Sequence, residues 1–444
     1  MAQTNPVEAI QGLFKTPELK EKILFTLLCL LIYRIGAHVT VPGVDPVGLV
    51  NFFNQQSGGL LGLYDLFTGG GLSKATVFAL GIMPYISSSI FFQIAAAVVP
   101  QVEKMQKDEE GRKKVEQWTR YGTVALAAVQ GWGFALFAEG LTGVVAAPGM
   151  AFRLEFTFFL TAGAIFVMWL GEQITENGIG NGASLMIFFS IAQRIWPSIA
   201  QAYTYITTGA LGAFSLLVVI VLLVVVVAAT VYITVGARKV LIQIPQRTMA
   251  RGRMREASRS YIPLRINAAG VMPIVFAQSV IVVPAAIAQF MGNQRLKDMA
   301  DMFNPGTGWY YIAFAVLNIF FTYFYTSIIF NPVDLAENLK KQGGFIPGVK
   351  PGSKTAEYID SVVSRITLPG AIFLTAIALF PIWLTQLVNV PFVFGGTSLL
   401  IVVGVALDTL QQMQQHLLLR KYDGFMKKGR VKFRGGASNL GGGF

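Results

Sequence analysis

The chain of 444 residues contains two histidines, His38 and His416, and one cysteine, Cys29. That supply is too thin for a histidine-ligated metal site, a Ser-His-Asp triad or an intrachain disulfide. Carboxylates are the remaining candidates for proton chemistry. Nearly all of them fall in loops or near the ends of apolar runs, the nearest exceptions being Glu139, Glu172 and Asp408, whereas proton coupling needs acids at mid-membrane depth. No GxxxxGK[ST] segment occurs, which removes the P-loop route to nucleotide hydrolysis. The expectation is a protein that is not an enzyme and holds no cofactor or metal.

One spacing does carry physical content. Ile82, Ile86, Ser89 and Gln93 follow one another in three- and four-residue steps, so they share one helix face. An aliphatic pair leading into a polar stripe suits a surface that lines water or meets another helix.

The elements that must position this face are membrane spans. Hydrophobic residues make up 54% of the chain, charged residues 13%, and the mean hydropathy is +0.57. A spanning helix needs about 20 predominantly apolar residues. Ten runs qualify, at roughly 22–40, 76–98, 121–140, 154–171, 183–202, 213–235, 268–290, 309–330, 368–388 and 396–418. Before the first run, Val7, Ile10, Leu13 and Phe14 stand at helical spacing, which predicts an amphipathic segment over 1–21 rather than a cleaved signal peptide.

Basic residues orient the spans. Of the 35 Lys and Arg, only Arg34, Lys74, Arg153, Arg194, Arg295 and Lys297 fall in one set of alternate loops; the rest lie in the other set and the two tails. Short cytoplasmic loops collect the positive charge, so both termini are expected in the cytoplasm. The net charge of +12 is therefore mainly a topological signal, without a soluble basic domain for nucleic acid.

Two sequence echoes organise the spans. ALGIMPYI at Ala79 and AAGVMPIV at Ala268 share one pattern, five spans apart; GASLMI at Gly182 and GTSLLI at Gly396 are also five spans apart. An odd offset reverses the direction in which a segment crosses the membrane, so the halves form an inverted repeat. Pro84 and Pro273 in the first echo are expected to kink their helices.

Between the first two runs, Leu60 to Phe67 is apolar but too short to span, and glycines bracket it. Read alone it is an external loop with a half-buried turn; a re-entrant or plug-like segment is the alternative. The loops over about 236–267 and 331–367 are long and basic, and the Pro-Gly signals of the second predict a structured projection. Together they suggest a docking platform. The Gly-rich end of the 419–444 tail has too few apolar residues to pack.

GIMPYIS, NGIGNG, FIPGVKPG and FGGTSLLIVV, within a similarity running from about Pro17 to Leu419, resemble the SecY/Sec61-alpha family of protein-translocation channels. The resemblance implies an all-α integral membrane fold of ten helices. Two inverted halves, 22–202 and 203–418, would form a clamshell around an hourglass pore. It also implies a constriction ring of Ile82, Ile86, Ile187, Ile191, Val275 and Ile401, and turns the short segment at about 58–72 into a plug that includes Leu63, Tyr64, Leu66 and Phe67. A lateral gate would involve Ser87, Gln93, Gln130, Gln278 and Ser279. Docking of the SecA ATPase or the ribosome would use Arg247, Arg251, Arg253 and Lys350, the last standing where the family typically has Arg. Small SecE-like and SecG-like membrane subunits, lipid, and unfolded signal-bearing polypeptides are the other implied partners, and a bacterial inner membrane the implied location. A secondary transporter for a small solute is the alternative function.

Overall fold

The computed structural model describes residues 17–55, 59–208, 213–244, 258–290, 294–388 and 396–428. A helix stands in each of the ten apolar runs. Among the described residues, five stretches are long and apolar enough to cross a membrane unaided: Glu109–Glu139, Met150–Asn177, Gly308–Lys341, whose spanning part is helix Gly308–Ile329, Ser353–Trp383 and Gly396–Leu417. The other runs yield shorter or interrupted helices. The second span, Met83–Val98, meets Pro100–Gln106 at a bend of 109°, and the fifth is divided into Gly182–Ala192 and Ile195–Thr207. The first, sixth and seventh spans are Pro17–Gly36, Ala213–Val235 and Met272–Phe290.

The first echo takes the same local form twice. Gly81 and Gly270 both have positive φ, +55° and +64°, a region that a side chain disfavours. Two residues later the helices begin, at Met83 and Met272. Pro84 and Pro273 are therefore the second residues of their helices and do not kink them. In the first turn a missing N–H costs nothing, because no intrahelical acceptor awaits it. The bends available to in-helix prolines fall instead at Pro284, Pro369 and Pro381.

The second echo is set by close packing. A Cβ on Gly182 would collide with the carbonyl of Gly171 in the fourth span, and one on Gly396 with the carbonyl of Ala378 in the ninth. The fourth and ninth spans correspond in a further way that short motifs did not disclose. A Cβ on Gly163 would strike the Val77 carbonyl, and one on Gly370 would lie 3.0 Å from the Ile266 carbonyl. Val77 and Ile266 each stand two residues before the alanine that opens the first echo. The same backbone approach is thus built once in each half.

The long basic loops add a small extramembrane unit to this helical body. Strands Ala237–Ile244 and Ser258–Arg265 pair antiparallel, and Gln243 and Phe345 exchange backbone hydrogen bonds of 2.9 and 3.0 Å. Val240, Ile242, Leu264, Leu339, Ile346, Ile359 and Val362 are buried together between the two loops. The structured projection expected over 331–367 is present as helix Pro332–Lys341, capped by the Asn331 side chain, followed by a turn and the start of the ninth span.

Candidate functional site: a buried aliphatic core with a seated helix

Ile82, Ile86, Ile187, Ile191, Val275 and Ile401 are each at most 4% exposed and belong to one apolar core. Local structure sets their positions. Ile82 is the N-cap residue of the second span. Ile86 and Val275 close the first turns of the second and seventh spans, bonding back to Ile82 O at 3.1 Å and Val271 O at 3.2 Å. Ile187 and Ile401 each stand five residues after the glycine that starts their helix. The second span packs on the seventh, and the fifth on the tenth, so both halves contribute to the core.

Leu60–Phe67 is a helix, not an external loop. Leu60, Leu61, Tyr64, Leu66 and Phe67 are buried, and Leu63 is half-buried against the same core. The helix lies against the fifth and seventh spans. An eight-residue apolar helix cannot cross a membrane, so it buries its side chains by filling the space between the halves. Its polar atoms are satisfied at the edges. Tyr64 donates its hydroxyl to Gln130 Oε1 at 3.2 Å, and burial pushes its phenol up from the ordinary tyrosine range, which keeps it a donor. Asp65 accepts from the Ser73 N–H at 2.9 Å and pairs with Arg194.

The five polar residues expected at a gate separate into two sets. Gln130, Gln278 and Ser279 are buried where the third and seventh spans meet. Tyr310 of the eighth span donates to Gln278 Oε1 at 3.3 Å, whereas Ser279 turns its hydroxyl back to Val275 O at 2.8 Å. The Nε2 atoms of Gln130 and Gln278 and the Oγ of Ser87 are buried without a protein partner. Gln93 lies elsewhere: it donates to Ser89 Oγ at 2.9 Å and lines a cavity of about 640 Å³. Tyr85, Ile86, Arg120, Glu172, Asn181 and Phe276 are among its other walls. Ile86 is the one residue of the aliphatic set that reaches this cavity, so the polar stripe of the second span and the aliphatic core meet at its wall.

Of the three acidic residues nearest to mid-span, Glu139, Glu172 and Asp408, the first two are held in ion pairs. Glu139 pairs with Arg153 at 2.7 Å and accepts from the Gly149 N–H, joining the ends of the third and fourth spans. Glu172 pairs with Arg120 at 2.8 Å in the cavity wall. Among the described residues no cluster of His, Cys, Asp or Glu has metal-ligand geometry. Lys350 is exposed in the turn before the ninth span, its carbonyl accepting from the Thr355 hydroxyl. Arg247, Arg251 and Arg253 lie outside the described residues, as do residues 1–16 and 429–444 of the two tails.

Sequence reasoning missed Asp65 within the short helix, and Tyr33, Gln193, Arg194 and Asn304, which contact that helix or the turn after it. A signal was present. Arg34 and Arg194 belong to the six basic residues on the wrong side of the loop asymmetry, and such exceptions call for a local partner.

The pattern that defines the SecY family matches residues 76–410. The chain is 42% identical over 428 residues to the protein translocase subunit SecY of Aquifex aeolicus, covering 95% of this chain and 100% of that one. It is 42% identical over 423 residues to the Escherichia coli K12 protein of the same name, covering 94% and 95%. Among solved structures, one of a SecY protein whose plug domain is described as stabilising the closed state superposes with a TM-score of 0.65. It is 17% identical and covers 93% of this chain and 95% of that one. Sec61 in the canine ribosome-channel complex gives 0.62 at 16% identity, with the same coverage.

Proposed function

The chain belongs to the SecY family of protein translocase subunits, and we propose that it conducts unfolded polypeptides across a bacterial inner membrane and releases apolar segments sideways into lipid. The observation that carries this reading is the burial of six aliphatic side chains from both halves in one core, with a helix too short to span seated against them. Aliphatic side chains shape themselves around a passing chain yet offer ions no replacement for hydration, so a ring of them passes polypeptide while resisting leakage. No bond is made or broken, and the protein is a channel subunit rather than an enzyme.

In this reading Leu63, Tyr64, Leu66 and Phe67 plug the pore. Gln130, Gln278 and Ser279 lie on the seam that parts as the lateral gate, with Ser87 and Gln93 on the second span beside it. The unpartnered amide groups favour parting: a buried donor without an acceptor is costly, and water or an arriving chain would satisfy it. The basic loops lie on the cytoplasmic side with both termini. They dock SecA or the ribosome through Lys350, Arg247, Arg251 and Arg253, while SecE-like and SecG-like subunits and lipid cover the apolar flanks of the spans.

A small-solute transporter is not supported: relatives between 38% and 42% identical over most of the chain are named translocase subunits, and Glu139 and Glu172 are tied up in ion pairs. The test is reconstitution in vesicles with the small subunits, SecA and ATP. Protease-protected secretory precursor inside the vesicles is expected; its absence while precursor still binds would reject the channel reading.

A further inference from the structure

The short helix Leu60–Phe67 is held at its two ends by opposite halves of the protein, through contacts of unequal character. At its start Gly59 supplies no side-chain cap, and the Leu60 N–H donates instead to Asn304 Oδ1 at 3.2 Å. Helix N-termini need such acceptors, and Asn is among the side chains best suited to the task. This one comes from the second half, just beyond helix Gln294–Asp301.

At the other end every partner belongs to the first half. Arg194 pairs with the Asp65 carboxylate, and its Nη2 lies 3.4 Å from the Asp65 carbonyl. Gln193 donates to Gly69 O at 2.6 Å and is itself held by Arg34. The Tyr33 hydroxyl bridges Thr68 O at 3.4 Å and Ser190 Oγ at 2.8 Å. The Asp65 side chain is 6% exposed and that of Arg194 25%. Charge-assisted bonds are roughly twice as strong as neutral ones, and removing one member of a shielded pair leaves the other charge uncompensated.

Resting on the channel reading above, we propose that Arg194 and Asp65 are positioning residues that latch the plug to the first half, and that the Leu60–Asn304 bond is the release contact. When the halves part, the neutral hydrogen bond at the start of the helix and its packing on the seventh span are lost, while the charged cluster at its end and its packing on the fifth span persist. The plug then stays with the first half, anchored at its C-terminal end, and is drawn away from the second half. This also accounts for Arg34 and Arg194, two of the six basic residues on the charge-poor face: their partners are in the plug and its anchor.

The test uses the full chain with its small subunits in vesicles, reading ion leak with no precursor present. Arg194→Gln and Asp65→Asn are each expected to raise resting leak about tenfold, equivalent to about 1.4 kcal/mol on a two-state plug. The double variant should leak no more than either single one, because both remove the same contact; Asn304→Ala should leak less than these. Unchanged leak, or single effects that add in the double variant, would overturn the latch. Precursor translocation by the unmodified protein in the same vesicles separates this result from a failure of the channel reading.

A second measurement does not depend on those variants inserting correctly. On a Cys29→Ser background, spin labels at Leu63 and Trp196, or at Leu63 and Met299, report the distance from the plug to the first or second half. With a precursor stalled in transit the Leu63–Met299 distance should lengthen and the Leu63–Trp196 distance should stay. Lengthening of the Leu63–Trp196 distance would overturn the proposal.

Discussion

Gly182 and Gly396 make the same contact in opposite halves: each opens a span with its Cα pressed against a backbone carbonyl of the span before it, Gly171 in one case and Ala378 in the other. Backbone cannot yield as a flexible side chain does. Gly182→Ala and Gly396→Ala are each expected to destabilise the protein by about 1–3 kcal/mol, the usual cost of overpacking. Thermal unfolding in detergent, compared with the unmodified chain, checks this; an unchanged midpoint for both would contradict the shared packing.

Gly81 and Gly270 should respond to a different strain. Their φ values of +55° and +64° lie in the left-handed region, where an L side chain costs about 1–2 kcal/mol. Alanine at either position is expected to lower stability by about that amount. The two effects should add in the double variant, because the residues share no partner.

The aliphatic ring predicts a polarity-dependent leak. Ile187→Ser or Ile401→Ser brings a hydroxyl into a core where the native side chains are at most 2% exposed, giving water and ions a foothold. Conductance across a planar bilayer without precursor should rise severalfold. Ile187→Val and Ile401→Val, which keep the site apolar, should remain near the unmodified level.

Tyr64→Phe removes the hydroxyl that donates to Gln130 Oε1 at 3.2 Å. Gln130 Nε2 already lacks a protein partner, so the amide would be wholly unpaired, at a cost of about 1–3 kcal/mol. Burial raises the Tyr64 phenol above its ordinary range, so it stays neutral at and beyond neutral pH in the folded protein. The stability lost on substitution should therefore be the same at pH 6 and pH 9, and an unfolding series at those values reads it directly.

On the basic face, Lys350→Ala is expected to weaken stimulation of SecA ATPase activity without altering precursor passage once engaged. Lys350→Arg should preserve or strengthen stimulation, since the guanidinium keeps the charge and adds a planar fork. Equal stimulation by all three proteins would remove Lys350 from the docking surface.

Period and composition made the ten helices legible, because lipid exposure forces long apolar runs that few other structures tolerate. The repeat was legible because tight backbone approaches admit only glycine, and glycine marks itself in a sequence. Pro84 and Pro273 were misread for a local reason: proline type does not distinguish a helix interior from a first turn, and the preceding Gly81 and Gly270 were the better indication. The short segment Leu60–Phe67 defeated pattern reading because eight apolar residues look alike in a loop and in a buried helix. Its partners were further out of reach. Asp65–Arg194 and Leu60–Asn304 join residues 129 and 244 positions apart, and nothing in local spacing encodes such pairs; only the misplaced charges of Arg34 and Arg194 hinted that partners existed.

If the buried aliphatic core is the path of a translocating chain, a photoreactive side chain at Ile187, in channels holding a secretory precursor stalled in transit, will crosslink to the precursor, and the crosslinks will vanish when the precursor is chased through. Crosslinks confined to lipid or to neighbouring helices would rule that path out.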